Sequence, residues 1–220
     1  NYLFQHFNSD KGEKLINQYR KPLNNVDKPI DGHCYHAHYE KFFSLKKNEN
    51  IDLLEIGAFK GNAAASFFFY FKNAKITSCD LLPDLFLYKS KRIKNFQIDN
   101  SSEIEIEKKI IKPKLKFDII IEDAGHYLKD QIITLFMLFE CLKTNGIFVI
   151  EELDFPDTRK DMNIFEEKPT LREILLAIKN KKDFDSKYIS VQQKKYFLEN
   201  LGEINIFKGA HNEIAFITKK

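Results

Sequence analysis

The feature that most constrains the fold is an alternation of short apolar runs with segments of helical spacing, which begins at residue 51. Short apolar runs are typical of buried strands, and apolar residues that recur with a period near 3.6 are typical of helices. The runs interpreted as strands are Ile51–Gly57, Lys75–Asp80, Phe96–Asp99, Phe117–Asp123 and Ile147–Glu151. The predicted helices are Asn62–Phe71, Asp130–Leu142 and roughly Thr170–Lys181. Repeated strand–helix units predict an α/β fold, with a mostly parallel sheet and helices on both faces.

The two ends of the chain extend this pattern. The runs Glu203–Phe207 and Glu213–Thr218 flank a short turn around Gly209, so they are expected to pair antiparallel and to bring the sheet to seven strands. Residues 1–32 are polar and are interrupted by breakers, which predicts loop with a short helix. These breakers are Pro22, Pro29 and Gly32. His33–Leu45 has helical spacing.

Composition argues against several classes of function. The 35 Lys and Arg outnumber the 32 Asp and Glu by a formal charge of only +3, which disfavours a dedicated nucleic-acid binder. The three cysteines form no Cys-x-x-Cys pair, which favours a reducing cytoplasm over a disulfide framework or a zinc knuckle. No run has the length of a transmembrane helix, and residues 1–10 lack the regions of a signal peptide. We therefore expect a cytoplasmic protein with neither nucleic acid nor membrane as a partner.

A glycine-containing turn connects the first strand of this core to its first helix. Gly57 and Gly61 are placed where the backbone turns sharply and where a ligand can approach without meeting a Cβ atom. Asp80, at the end of the next strand, can accept hydrogen bonds from the two hydroxyls of a ribose. The third glycine of the dinucleotide fingerprint is missing, which disfavours a diphosphate ligand.

This turn carries a family resemblance. Leu54-Glu55-Ile56-Gly57 with Gly61, followed by Asp80, resembles the cofactor signature of the class I S-adenosylmethionine (SAM) methyltransferases. The resemblance implies a Rossmann-like methyltransferase fold. It also implies that the glycine turn holds the methionine part of SAM, that Asp80 holds the ribose and that Asp99 lies near the adenine. The full set of predicted cofactor-binding residues is Glu55, Gly57, Gly61, Asp80, Leu81, Asp99, Asp123 and Lys11.

Acidic residues follow two neighbouring strands of the predicted sheet. Glu122-Asp123-Ala-Gly-His126 follows the fourth strand, and Glu151-Glu152 follows the fifth, so both groups reach one rim. Clustered carboxylates either raise one another's pKa or bind a cation, and oxygen ligands favour Mg²⁺-like or Ca²⁺-like ions. His126 lies three residues from Asp123 and is suited to act as a general base towards a hydroxyl.

This rim resembles the macrocin/mycinamicin-type sugar O-methyltransferases. The resemblance lies in Ile119-Ile-Ile-Glu-Asp-Ala-Gly-His126, Gln131 and Gly146-Ile-Phe-Val-Ile-Glu151, together with leader residues Asp10-Lys11-Gly12 and His33-x-Tyr35-x-x-x-Tyr39-Glu40 and the terminal His211-Asn212. It covers most of residues 7–153 and the last strand, and is thin over 155–200. It implies SAM and a possible Mg²⁺ as cofactors, His126 and Asp123 as catalytic residues, and metal ligands from Asp123, Glu151 and Glu152. Ala124 and Gly125 depart from the family's usual Gly-Ser, and Glu152 departs from its usual Asp.

These resemblances predict a SAM-dependent methyltransferase that acts on a hydroxyl of a small, sugar-like acceptor. Residues 1–45 are predicted to form a leader and a lid helix, and residues 46–220 the SAM-binding domain, with 155–200 as an acceptor-pocket insert. The histidines of the lid helix, His33, His36 and His38, are expected to cover the SAM pocket rather than to bind a metal. A homo-oligomer is possible, with the leader and the insert as interface material.

Alternatives stay open at this stage. Asp80 would also suit the ribose of NAD in an oxidoreductase, and a SAM-binding module without catalysis would keep the same turn. An RNA or protein methyltransferase also stays open, although the near-neutral charge disfavours nucleic-acid acceptors and no Asn-Pro-Pro-aromatic signature for amino-nitrogen targets follows the fourth strand. His126 could be a structural rim histidine, and Glu151 and Glu152 could simply be solvated.

Overall fold

The computed structural model describes residues 1–16 and 29–220, so Pro22 and the middle of the predicted leader lie outside the described residues. The helices are α1 (Tyr2–His6), α2 (His36–Phe43), α3 (Asn62–Tyr70), α4 (Glu103–Ile106), α5 (Leu128–Leu138), α6 (Phe155–Thr158), α7 (Leu171–Lys179) and α8 (Val191–Asn200). The strands are β1 (Lys14–Ile16), β2 (Pro29–Asp31), β3 (Asp52–Ile56), β4 (Lys75–Asp80), β5 (Ile93–Gln97), β6 (Phe117–Glu122), β7 (Leu142–Ile150), β8 (Leu201–Lys208) and β9 (Glu213–Lys219).

Within these ranges the chain forms a seven-stranded sheet with the order β5-β4-β3-β6-β7-β9-β8, and β1 and β2 form a separate hairpin. Strands β3 to β7 pair in parallel, whereas β9 pairs antiparallel with both β7 and β8. The predicted Rossmann-like architecture is therefore confirmed. Because the chain runs outward from β3 to β5 and then returns to β6, a ligand crevice is expected where β3 and β6 end side by side.

Two strands begin earlier than the sequence predicts. The third strand was expected at Phe96–Asp99, but β5 covers Ile93–Gln97 because it is an edge strand whose exposed Lys94 and Asn95 interrupt the apolar pattern. The fifth strand starts at Leu142, where the register against β6 shifts, and left-handed Asn145 (φ 61°) stands inside it. Such a bulge hides a strand start from any alternation rule.

The core occupies both faces of the sheet. One face packs against α5, α7 and α8, and the other against α2 and α3. Phe67 and Phe71 of the α3 region are buried in the second cluster, whereas Phe69 is 60% exposed. A helix cannot turn consecutive residues towards one neighbour.

Helix α2 is shorter than the predicted His33–Leu45 helix, and its inner face belongs to the core. Tyr39 and Phe43 are buried, and the Tyr39 ring lies 5.5 Å from that of Phe67 and 5.6 Å from that of Phe216. His38 stacks on Phe207 at 4.6 Å, at the β8–β9 side of the molecule. The lid function of this segment stays a prediction.

Segment 155–200 contains more regular structure than the sequence pattern suggests. Thr170 and Glu173 form a reciprocal capping box at the start of α7, and Ser190 and Gln193 form another at the start of α8. Each box satisfies backbone N–H groups that the first helical turn leaves without partners. Phe197 of α8 is buried against Phe136 and Phe139, which fixes this helix on the sheet's first face. Among the described residues, no helix is both long and apolar enough to span a bilayer.

Candidate functional site

An open cavity of about 480 Å³ lies at the carboxyl ends of β3, β4, β5 and β6. Its wall contains backbone turns, carboxylates and a few apolar side chains, as a nucleoside ligand requires. The lining residues are Ile56, Gly57, Asp80, Leu81, Leu82, Ile98, Asp99, Asn100, Ser101, Asp123, Ala124, Gly125, Tyr127 and Asp130. Five of the predicted cofactor residues, Gly57, Asp80, Leu81, Asp99 and Asp123, are thus brought together on one surface.

The two glycines of the turn are required for different reasons. Gly57 has φ 89°, and a Cβ atom there would lie 1.9 Å from the carbonyl oxygen of Asp123. Gly61 has φ 80°, and its Cβ would lie 2.5 Å from the Phe86 ring. Gly57 therefore lets the ends of β3 and β6 approach each other beside the cavity, whereas Gly61 accommodates an aromatic side chain.

Asp80 is held in place by its own loop. Its Oδ2 accepts a hydrogen bond from the Phe59 N–H at 2.7 Å, and its Oδ1 accepts one from the Leu82 N–H at 2.8 Å. Each carboxylate oxygen has two lone pairs, so both keep the capacity to accept a ribose hydroxyl. The orientation of the acid is fixed before any ligand arrives.

The loop after β5 adds cavity residues that the sequence reasoning missed. Asp99 accepts hydrogen bonds from both the backbone N–H (3.0 Å) and the hydroxyl (2.6 Å) of Ser101. Ile98 is buried beside the exposed Leu82, so the two offer apolar surface for a base. Their only sequence signal was position, because Ile98 lies in the predicted strand Phe96–Asp99, and Leu82 and Ser101 each lie two residues beyond a predicted strand end.

Glu55 and Lys11 lie behind the cavity wall rather than on it. Glu55 is buried, accepts a hydrogen bond from the Ser78 hydroxyl at 3.2 Å, and has a pKa raised to about 7 by burial. Lys11 is also buried, and its ammonium contacts Asp123 and Glu151. Contact of Glu55, Gly61 and Lys11 with a cofactor stays a prediction.

An acidic centre built from the ends of β6 and β7 adjoins the cavity. The Lys11 ammonium contacts Asp123 and lies 3.0 Å from each carboxylate oxygen of Glu151, and the Tyr39 hydroxyl donates to Glu151 Oε1. Burial opposes the charge on Lys11, but Asp123 and Glu151 outweigh it and raise the pKa of Lys11. Burial, partly offset by Lys11, raises the pKa of Glu151 to about 7.

The other half of the centre joins two histidines to Glu152. His33 Nδ1 lies 2.9 Å from Glu152 Oε1, and His126 Nε2 lies 3.6 Å from Glu152 Oε2 and 3.9 Å from Asp123 Oδ1. Glu151 and Glu152 are 1% and 3% exposed, which excludes the alternative of simply solvated carboxylates. The sequence predicts that His33 lies in a lid, and it gives no sign of the ion pair between His33 and Glu152. The two residues are 119 positions apart in the chain.

The two histidines are driven to opposite charge states. Burial lowers the pKa of His126, although Glu152 opposes this, so its imidazole is neutral at pH 7. Burial also opposes a charge on His33, but the hydrogen bond and charge of Glu152 outweigh it and raise the pKa of His33 to about 9. A neutral imidazole can accept a proton, so His126 fits the role of a base, and His33 fits that of a fixed positive charge.

Gln131 lies on helix α5 and contacts the chain at the end of β7. Its buried side-chain amide donates to the backbone carbonyls of Glu151 at 3.4 Å and Glu152 at 3.1 Å. These bonds hold the chain at the end of β7, so Gln131 acts on the acidic centre through its backbone.

The chemistry of the centre fits a divalent cation. Asp123, His126 and Glu152 each offer a ligand atom, and these atoms all lie within 4.8 Å of one another. Glu152 Oε2 is buried and has no hydrogen-bond partner within residues 1–16 and 29–220. The predicted ligand Glu151 is instead engaged by Lys11 and Tyr39. The metal assignment to Asp123, Glu151 and Glu152 stays a prediction.

Comparison with known proteins identifies the fold. No protein-family model and no curated protein sequence matches this chain. Among solved structures, the MycE methyltransferase of the mycinamycin biosynthetic pathway, in complex with Mg and S-adenosylhomocysteine (SAH), aligns with a TM-score of 0.74 at 19% identity, over 99% of this chain and 53% of MycE. The chain therefore spans about half the length of MycE.

Shorter proteins align less closely. A putative caffeoyl-CoA O-methyltransferase from Staphylococcus aureus has a TM-score of 0.52 at 12% identity, over 87% of this chain and 86% of that one. A putative ribosomal RNA methyltransferase from Plasmodium falciparum has a TM-score of 0.51 at 15% identity, over 84% and 93%. At such identities the likeness concerns the fold, and it confirms the predicted Rossmann-like methyltransferase fold.

Proposed function

We propose that this chain is a SAM-dependent O-methyltransferase that transfers a methyl group to a hydroxyl of a small, sugar-like acceptor. The observation that carries the proposal is the position of His126, a largely enclosed imidazole that lies between Asp123 and Glu152, next to the cavity that contains Asp80. A MycE structure in complex with Mg, SAH and mycinamycin VI supports a small-molecule acceptor for this fold.

Cofactor binding follows from the cavity wall. Asp80 accepts the ribose hydroxyls, Leu82 and Ile98 flank the adenine, and the Gly57 turn leaves room for the methionine part. These contacts bring the sulfonium methyl group towards Asp123, where the cavity meets the acidic centre. Positioning of the two reactants supplies much of the rate enhancement in such a transfer.

Proton removal is assigned to His126. The tautomer with hydrogen on Nδ1 leaves Nε2 able to accept the hydroxyl proton, and the resulting imidazolium lies between two carboxylates that stabilise it. As the oxygen–methyl bond forms, the sulfur–methyl bond breaks, and the sulfonium becomes the neutral thioether of SAH. When bound at Asp123 and Glu152, a divalent ion supplies positive charge that stabilises the developing alkoxide.

The acceptor is assigned to the side of the site formed by segment 155–200. Phe155 packs edge-on to the His126 ring at 5.3 Å, and the Arg159 guanidinium lies 4.7 Å from the Phe155 ring centroid. Tyr127 is 48% exposed and Phe165 83% exposed in a neighbouring groove, where aromatic faces suit a sugar ring. In the proposed organisation, residues 1–45 form the leader and residues 46–220 the SAM-binding domain, with 155–200 as its acceptor insert. We further propose a cytoplasmic protein that can form homo-oligomers.

Methyl transfer from labelled SAM to a panel of free and glycosidic sugars, with and without EDTA, tests the proposal. SAH binding is measured by calorimetry on the same preparation. Binding without turnover would favour the non-catalytic module, and NADH binding without SAH binding would favour an oxidoreductase. If the protein does not bind SAH, the proposal is refuted.

A further inference from the structure

The Lys11 side chain is unusual because a full positive charge is 1% exposed in the middle of the acidic centre. Its Nζ contacts Asp123, lies 3.0 Å from both oxygens of Glu151, and lies 3.7 Å from Asp10. Three carboxylates therefore converge on one ammonium group. That is the geometry in which a protein usually places a small cation.

The backbone that carries Lys11 is held by neighbouring residues of the leader, independently of the contacts that its ammonium makes. The His36 N–H donates to the Lys11 carbonyl at 3.0 Å, and the Cys34 N–H donates to the Gly12 carbonyl at 3.0 Å. The β1–β2 hairpin lies between these contacts. These backbone contacts do not involve the ammonium, so its displacement from the carboxylates does not require them to break.

Lys11 and a divalent ion need the same carboxylates. Glu151 is engaged by Lys11 at both oxygens, and Asp123 by one contact to Oδ2, while Asp123 Oδ1 faces His126. A divalent ion bound to Glu151 would lie within a few ångströms of the Lys11 ammonium. Like charges at such distances repel strongly in a buried site.

We propose that the Lys11 ammonium is a tethered competitor of a divalent cation for Glu151 and Asp123, so that ion binding displaces it. The inference deepens the proposed function, on which it rests, because it concerns the same acidic centre. It makes Lys11 the residue that sets ion affinity. With Lys11 in place, its positive charge offsets one negative charge of the carboxylates that an ion would bind.

The test is a calorimetric titration of Mn²⁺ into wild-type protein and into Lys11→Met, which keeps the side-chain volume and removes the charge. We expect the dissociation constant of Mn²⁺ to fall at least about tenfold in Lys11→Met, because both charge and ligands are released. Lys14→Met is the matched control, since Lys14 lies in the same leader and pairs with exposed Asp31. Equal or weaker Mn²⁺ binding by Lys11→Met, or binding by neither protein, overturns the proposal.

A second measurement uses the wild-type protein, in case Lys11→Met does not fold. Acetic anhydride labelling followed by mass spectrometry reports how accessible each lysine amine is. We expect saturating Mn²⁺ to raise Lys11 labelling about tenfold or more and to leave Lys14 unchanged. Unchanged Lys11 labelling overturns the competition. SAH calorimetry on the same sample separates the two ideas, because lost SAH binding contradicts only the proposed function.

Discussion

Replacing Gly57 by Ala tests whether the cofactor turn is shaped by the packing of the chain itself. The new Cβ would lie 1.9 Å from the Asp123 carbonyl oxygen, so the ends of β3 and β6 must separate by more than an ångström. The hydrogen bond from the Asp123 N–H to the Ile56 carbonyl, now 2.8 Å, would lengthen or break. A non-glycine residue at φ 89° adds further strain.

The magnitude follows from these terms. Left-handed backbone costs a non-glycine residue about 1–2 kcal/mol, and the hydrogen bond contributes about 1 kcal/mol. We therefore expect the free energy of unfolding to fall by about 3 kcal/mol, and the melting temperature by roughly 6–12 °C for a chain of this size.

Urea unfolding and thermal melting measure both quantities. Gly125→Ala is the matched control in the same cavity, because its Cβ would meet only the Tyr127 ring, at 3.0 Å, and that side chain is half exposed and can move. We expect the control to change stability by less than about 0.5 kcal/mol. Equal stability of the two variants would refute the packing argument and leave ligand approach as the reason for Gly57.

Three further predictions concern the site. His126→Ala should lower methyl-transfer turnover by about 10²- to 10⁴-fold in a radiometric assay while leaving SAH affinity unchanged. Wild-type turnover should be half-maximal below pH 6.5, because burial lowers the pKa of His126 from 6.5 and the base is lost only as the pH falls. Asp80→Asn should weaken SAH binding about tenfold or more by calorimetry, since an amide cannot accept from both the Phe59 and Leu82 N–H groups and a ribose, whereas exposed Asp84→Asn should not. The pKa of His33 is raised from 6.5 to about 9, so the contribution of its charge to stability is complete below pH 6.5 and is lost as the pH rises through about 9. Urea unfolding at pH 6 and pH 10 should show this loss of stability in the wild type and not in His33→Gln.

The sequence predicted the sheet and its carboxyl edge because strands and their ends are local features. Asp80, Asp99 and Asp123 each follow an apolar run, and the parallel order then places them on one cavity. Local patterns fail where the chain departs from regular pairing, as at the Asn145 bulge, and where an edge strand is largely polar.

The partners of the acidic residues could not be predicted in this way. Lys11 meets Asp123 across 112 residues, and Tyr39 meets Glu151 across another 112. No period or motif links such positions, since only the docking of the leader onto the sheet brings them together. For the same reason the sequence suggested Glu151 and Glu152 as equivalent ligands, although the structure gives them different partners.

The difference between Glu151 and Glu152 follows from backbone geometry. In a regular strand, consecutive side chains point to opposite faces, so an extended β7 would direct only one of the two acids to the site. Glu152 instead has φ 44°, which turns its carboxylate back towards His126, and His126 itself has φ 57°. Left-handed backbone at each costs about 1–3 kcal/mol, and such strain persists where surrounding contacts enforce it. Here Gln131 holds the Glu151 and Glu152 carbonyls. The left-handed backbone at Glu152 and His126 thus brings both side chains to the same rim of the cavity, which is the arrangement that the proposed function requires.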